Sequence, residues 1–313
     1  MKLISFVFSF KNEHSNLEEL VKRIDKTLTK VKKYTYELIF VNDNSDDGSE
    51  KILDNLQKSY PITIINMSRT FGVGPCVLAG FKHVKGDCVI YMDSDLQDPP
   101  EIVEELIKEY EKGFDVVHTV RTNRLGESKF KLLVTNIAYK IINFLSDIKL
   151  PTEAGDFKLI SKRALNKILE QNEFRPYIRG LSIWVGFKQS YVKYVRDPRA
   201  EGLTKFPLLS AGPFTQFISG VTAYSLKPLY IGIILGLISL LFSIGLILYA
   251  LYMKYTNISV PGTASIIITI SFFSGTILLT LGVMSIYIAR IFEEVRGRDS
   301  YVIKEIKDYS KKL

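Results

Sequence analysis

Two long uncharged apolar runs near the end of this 313-residue chain constrain its fold more than any other feature. Residues 228–253 and 255–289 contain no Asp, Glu, Lys or Arg. About 20 apolar residues suffice for a helix to cross roughly 30 Å of hydrocarbon, and runs much beyond about 14 are rare in soluble cores. The chain therefore reads as a membrane protein with spanning helices at 228–253 and 264–289. Lys254 lies between the two runs, whereas Lys205 and Lys227 precede the first and Arg290, Arg296, Arg298, Lys304 and Lys307 follow the second. Because basic flanks stay on the cytoplasmic side, a multi-pass cell (inner) membrane protein is expected. Both termini then face the cytoplasm and 254–262 faces the other side.

Ahead of the spans, residues 3–10 are apolar but too short for a signal peptide, and they run directly into Lys11-Asn12-Glu13. They read as a first strand. The two cysteines, Cys76 and Cys88, sit in apolar surroundings with no second pair, so neither a disulfide framework nor a zinc site is indicated and a reducing compartment fits. His14, His83 and His118 are scattered and read as surface or packing residues. The chain carries a net charge of +8, and the basic loop with Arg196, Arg199 and Lys205 before the spans should meet anionic headgroups; no nucleic-acid partner is expected.

Apolar residues at helical spacing (Leu17, Leu20, Val21, Ile24, Leu28, Val31) follow the first strand. A second strand over 37–41 ends at Asn42-Asp43, a third over 62–65 ends near Asn66, and a fourth over 88–92 ends at Asp93. Intervening helices make this an α/β chain with a mostly parallel, Rossmann-like sheet. Right-handed crossovers then bring Glu13, Asp43 and Asp93/Asp95 to one carboxyl edge, the usual ligand edge of such sheets. The run Asp93-Ser94-Asp95 places two carboxylates at a strand end, and a hard divalent cation is their simplest counter-charge. Asp98, Pro99 and Glu101 read as a helix start, with Asp98 as cap.

Farther on, a strand over 116–120 ends in Arg121-Thr122-Asn123-Arg124, whose guanidiniums suit an anionic ligand. Residues 132–145 read as an amphipathic helix. Asp156 precedes a short strand over 158–160, and Trp184 reads as a packing residue. Arg196, Arg199 and Lys205 fall in a loop before the membrane, and 206–226 mixes aromatic, Pro and Gly residues as an interfacial helix pair would.

The chain resembles family 2 inverting glycosyltransferases with polyprenyl-phosphate acceptors, a group similar to dolichyl-phosphate mannose synthases and bacterial undecaprenyl-phosphate glucosyltransferases. The resemblance rests on Asn12-Glu13, Asn42-Asp43-Asn44-Ser45-Asp46-Asp47-Gly48-Ser49, Ser68-Arg69-Thr70-Phe71-Gly72, Met92-Asp93-Ser94-Asp95-Leu96-Gln97-Asp98-Pro99-Pro100, Gly155-Asp156-Phe157 and Arg179-Gly180-Leu181 with Trp184-Val185-Gly186-Phe187. Their order, and the membrane hairpin after them, extend it nearly end to end.

The resemblance implies a GT-A catalytic domain at 1–204, interfacial helices at 205–227, the two spans within 228–289 and a cytoplasmic tail at 290–313. It implies a nucleotide sugar, a UDP-sugar being the expected donor, and Mg2+ or Mn2+. By it, Glu13, Asp43, Arg69, Asp93 and Gln97 bind the donor, and Asp93, Asp95 and Gln97 surround the metal. Asp156 and Asp95 are then the catalytic candidates, and Arg121, Arg124, Arg199 and Lys205 the acceptor-phosphate cradle. A homo-oligomer is allowed. Ser9, Lys11, Asn42, Asn44 and 72–75 depart from the usual pattern, which leaves the donor open. A transferase using a non-lipid glycan, and a non-catalytic nucleotide-sugar-binding scaffold, are the alternatives.

Overall fold

The computed structural model describes residues 1–31, 33–124, 129–149, 151, 154–196, 218–256 and 262–308. The chain forms two compact units. The first comprises Met1–Phe144, Ile148–Gly220 and Arg298–Leu313, and the second Leu145–Asp147 with Val221–Gly297.

The first unit begins with strand β1 (Lys2–Phe10), helix α1 (Leu17–Leu28), β2 (Tyr34–Asn42), α2 (Ser49–Leu56), β3 (Ile62–Met67), α3 (Val73–Lys82) and β4 (Cys88–Tyr91). Leu17, Leu20, Val21, Ile24 and Leu28 of α1 are all buried, as their 3.6-residue spacing requires. Phe8 of β1 stacks on Phe40 of β2 with ring centroids 4.6 Å apart, near the middle of this core. The order continues with α4 (Val103–Glu111), β5 (Val116–Arg124), α5 (Lys129–Leu145), β6 (Ala154–Ser161), α6 (Lys162–Glu170), α7 (Ile178–Trp184) and β7 (Gln189–Arg196).

One eight-stranded sheet runs β7-β5-β6-β4-β1-β2-β3-β8, where β8 is Ile303–Lys307. Pairs β4–β1, β1–β2, β2–β3 and β5–β7 are parallel. Strand β6 is antiparallel to both β4 and β5. It is longer than the 158–160 stretch expected, so Asp156 lies within it. Likewise β5 extends through Arg124 and β7 through Arg196, so these arginines belong to strands where loops were expected.

The C-terminal tail also differs from a simple appendage. Ile303–Lys307 pairs antiparallel with β3, Val302 O accepts from Ser68 N at 3.0 Å, and Lys307 Nζ reaches Glu50 at 2.7 Å and Asp54 at 3.0 Å. Chain on both sides of the long apolar region thus belongs to one folded unit.

The second unit contains helices Lys227–Tyr255 and Thr263–Val295, slightly longer than expected. At 1.5 Å per residue they measure about 43 and 50 Å, enough to cross a bilayer. Their apolar side chains are mostly exposed, as in a surface meant for lipid rather than for a soluble core. A Cβ on Gly232 would lie 2.7 Å from Thr280 Cγ2, so the missing side chain permits close helix approach. Tyr287 donates to Ser225 O at 2.7 Å, tying the second helix to the residues before the first. Of the expected interfacial pair at 205–227, 205–217 lies outside the described residues.

Candidate active site

The site is built from the carboxyl ends of β1, β2 and β4 and from the strands that β6 brings beside them. After β1, Asn12 adopts a left-handed φ of 55°. Its amide pairs with Asp46 at 2.8 Å, while its backbone N donates to Ser45 at 3.0 Å. Glu13 is buried; its carboxylate accepts from Asn16 at 2.6 Å and its N–H donates to Ser49 at 3.1 Å. Asn44 also has a positive φ, 58°. Asparagine tolerates this region better than most residues, so it can fill a place that usually favours glycine.

Asp43 is buried and its two oxygens accept from Phe71 N at 2.6 Å and Gly72 N at 3.0 Å. It therefore shapes the 71–72 turn, where Gly72 has φ 93°. Arg69 lies over the Phe71 ring, 4.0 Å from its centroid. Cys76 and Cys88 are both free and buried, and burial pushes the Cys88 thiol up to about 12.

Beyond β4, Leu96 has φ 59°, an uncommon conformation for a branched side chain and a mark of local strain. That turn separates Asp95 from Gln97, whose N–H donates to Asp95 at 3.2 Å. The antiparallel register pairs Tyr91 with Lys158. Past this last ladder pair, Asp93 lies close enough to Asp156 for their charges to interact. Burial raises the Asp93 pKa to about 7, reinforced by the charges of Asp156, Asp98 and Asp95 and opposed by Arg121.

Asp156 behaves oppositely. Burial alone would raise its pKa, but Arg179, then Lys158 and Arg121, hold it down at about 2. Arg179 forks onto it, Nη2 to Oδ2 at 2.6 Å and Nε to Oδ1 at 3.3 Å, and also donates to the Tyr139 hydroxyl. Beneath them Lys158 is fully buried and donates to Ser182 at 3.0 Å; burial lowers its pKa to about 8. His118, buried beside Gln189 and Tyr191, is pushed to about 3 by burial and the Lys158 charge, so it is a neutral packing residue.

Asp98 does not cap a helix. The short 3-10 turn Pro100–Ile102 has Pro99 at its N-cap and no side-chain cap. Asp98 is instead fully buried, accepts from the Tyr194 hydroxyl, and lies 3.6 Å from Arg121 Nη2 and 3.5 Å from Arg196 Nε. Trp184 is 49% exposed, so the packing role expected for it is not the one it has.

Asp93, Asp95, Asp98, Asp156 and Arg121 thus form one electrostatic group. Glu13, Asp43 and Arg69 shape loops beyond the parallel strands. The side chain of Arg124, together with Arg199 and Lys205, lies outside the described residues. Arg179, Lys158, Tyr139, Tyr194 and Arg196 join the site without a role read from the sequence. Two of them carry a sequence signal, Arg179 in Arg179-Gly180-Leu181 and Arg196 in the basic stretch before the membrane.

Among the described residues, no three His, Cys, Asp or Glu side chains are grouped to hold a metal. Two carboxylates with substrate phosphates are a common Mg2+ arrangement, however, and the charge crowding at Asp93 and Asp95 fits a divalent cation.

Residues 5–169 match the model of glycosyl transferase family 2. An uncharacterized glycosyltransferase of Synechocystis is 37% identical over 97% of this chain and 95% of its own length. A prophage-derived bactoprenol glucosyl transferase of Shigella flexneri is 33% identical over 96% of this chain and 97% of its own. Mannosyl-3-phosphoglycerate synthase from Rubrobacter xylanophilus shares the fold, with a TM-score of 0.50, 15% identity, and coverage of 71% of this chain and 72% of that one. The chain belongs to glycosyl transferase family 2 and is a glycosyltransferase of GT-A fold.

Proposed function

We propose that the protein transfers a sugar from a nucleotide sugar, with UDP-sugars the first donors to test, to a polyprenyl phosphate such as undecaprenyl phosphate. The observation that carries this reading is the crowding of Asp93 by Asp95, Asp98 and Asp156 beside Arg121 and Arg179. Such a site calls for a cation on one side and receives an anion on the other. Relatives named for bactoprenol glucosyl transfer and the two apolar helices support a lipid acceptor.

A lipid-phosphate oxygen would attack the anomeric carbon from the face opposite the leaving group. The new carbon–oxygen bond forms as the bond to the β-phosphate breaks, the electron pair leaving with the nucleoside diphosphate and the configuration inverting. Asp93, Asp95 and Gln97 would hold Mg2+ or Mn2+, which supplies Lewis-acid stabilisation of the diphosphate charge. Glu13, Asp43 and Arg69 would shape the nucleoside side. A phosphate monoester has a second pKa near 6, so at pH 7 the nucleophile is already mostly dianionic. Asp156, ionised and fixed by Arg179, would then orient a sugar hydroxyl or the acceptor, with a base role as the alternative.

A folded unit made from chain before and after the hairpin supports both flanks lying on one side of the membrane. Basic flanks favour the cytoplasmic side, where nucleotide sugars are available. The test is transfer by purified protein from a panel of nucleotide sugars to undecaprenyl phosphate. Product that forms with a divalent ion and disappears in excess chelator is expected. Turnover with water-soluble glycans only would overturn the lipid reading, and full activity in chelator the metal role.

A further inference from the structure

Lys158 is a fully buried cation for which packing gives no reason. It lies two residues beyond Asp156 on β6, and the ladders set it between Tyr91 of β4 and His118 of β5. Both of these neighbours are neutral. Burial and the Lys158 charge push His118 down to about 3, and burial raises the Tyr91 hydroxyl well above its ordinary value. The charges that act on the ammonium are therefore Asp156, on its own strand, and Arg179, from α7. Among the described residues it makes one hydrogen bond, to Ser182 Oγ at 3.0 Å, and this hydroxyl in turn donates to Arg179 O at 3.0 Å.

These contacts close a ring. Asp156 accepts the Arg179 fork, Arg179 O accepts from Ser182, Ser182 accepts from Lys158, and β6 leads from Lys158 back to Asp156. The arginine is thus held by its main chain as well as by its guanidinium. Burying an ammonium is costly, and an apolar side chain of similar length would fill the same place more cheaply. The cost has an evident counterpart: after Arg179, the Lys158 charge is the strongest influence holding the Asp156 carboxyl down. Asp156 and Arg179 remain 29% and 16% exposed, so the pair can meet a ligand, whereas Lys158 and Ser182 are sealed behind it.

We infer that Lys158 and Ser182 are positioning residues for sugar transfer: acting through Arg179, they fix where the Asp156 carboxylate stands when donor and acceptor are bound. Neither touches substrate. Ser182 ties the first turn of α7 to β6, and Lys158 supplies a second positive charge from inside the sheet. This inference rests on the role given to Asp156 under the proposed function, and it does not depend on which acceptor is used. It also assigns the buried charge to function rather than to stability, as expected where a site carries strain or charge that the fold alone would not keep.

Kinetics and thermal unfolding of the full-length, detergent-solubilised protein separate positioning from plain packing. Lys158→Met keeps length without charge, and Asp156 retains the Arg179 fork, so no partner is stranded. Its Tm should equal or exceed that of wild type while kcat falls about tenfold or more, with acceptor KM and calorimetric donor affinity within about twofold. A residue that only packs would show the reverse, a lower Tm with kcat kept. Ser182→Ala leaves every charge in place and should lower kcat several-fold; it decides the matter if Lys158→Met does not fold. Burial lowers the Lys158 pKa to about 8, so wild-type kcat should decline as the ammonium loses its proton above that pH. Lys158→Arg, cationic throughout, should recover part of the Lys158→Met loss and abolish that decline. Folded Lys158→Met and Ser182→Ala proteins with wild-type kcat, or with losses that only follow a lower Tm, would overturn the inference and leave the transferase reading intact. Because kcat is read with the acceptor that the wild type uses, a wild type that ignores undecaprenyl phosphate would overturn the lipid reading and leave this comparison standing.

Discussion

Around β1, β2 and β3 the polar side chains mostly bind nearby backbone, whereas around β5, β6 and β7 they mostly bind one another. Asp43 takes the Phe71 and Gly72 amides, and Asn12, Asp46, Asp47 and Ser49 knit two loops together through backbone N–H groups. Asp156, Arg179 and Tyr139, by contrast, come from three elements and form a side-chain network, as do Asp98, Arg121, Tyr194 and Arg196. Carboxylates that accept from backbone N–H groups fix these loops locally. Ion pairs in a partly dry site set the charge of reacting groups and depend on every partner being present.

The largest effect should come from separating Asp156 from Arg179. In the wild type Asp156 stays ionised down to about pH 2, so it contributes no loss of activity between pH 5 and 9. Its depressed pKa stabilises the fold above the ordinary carboxylate value of about 3.9, and that contribution is lost as pH falls through about 2. Arg179→Met removes the main depressing charge, so the Asp156 pKa rises. We expect kcat to fall about a hundredfold and an acid limb to emerge at higher pH than in wild type. A pH–rate profile checks this; an unchanged acid side would mean that Arg179 does not govern Asp156.

A medium effect is expected from the opposite end of the sheet. Ending the chain before Arg298 deletes β8, its ladder to β3 and the Lys307 contacts to Glu50 and Asp54. With net hydrogen-bond contributions of about 1 kcal/mol each, the Tm of the detergent-solubilised protein should drop by about 5 °C or more. No change in Tm would reduce β8 to a passive tail.

The smallest effect concerns a single backbone conformation. Asn44 is exposed at φ 58°. Asn44→Ala should destabilise by about 1 kcal/mol, whereas Asn44→Gly should stay within about 0.5 kcal/mol of wild type. Denaturant unfolding distinguishes them; equal losses would point to an amide contact rather than backbone strain.

Much of the frame was legible because its rules are local. Apolar periodicity located α1 and the β1–β4 strands, and the absence of charge located both long helices, since a bilayer demands length and apolarity whatever the partners are. The Asp93-Ser94-Asp95 pair was visible for a similar reason, being adjacent in sequence. Asp98 was misread because Asp followed by Pro, Pro and Glu fits a helix cap, and nothing nearby in sequence mentions Tyr194, 96 residues away.

Residue order alone dictates an α/β domain with an acidic strand end and two helices able to cross a membrane. What those acids face is set by long-range packing. Insertion of β6 antiparallel between β4 and β5 brings Asp156 near Asp93, and the β5–β7 register sets Arg121 beside Tyr194. The return of β8 to β3 closes chain from both sides of the hairpin into one unit. Strand order and register are long-range choices made by the packing of whole faces, and a change of one residue in register turns every side chain to the other face.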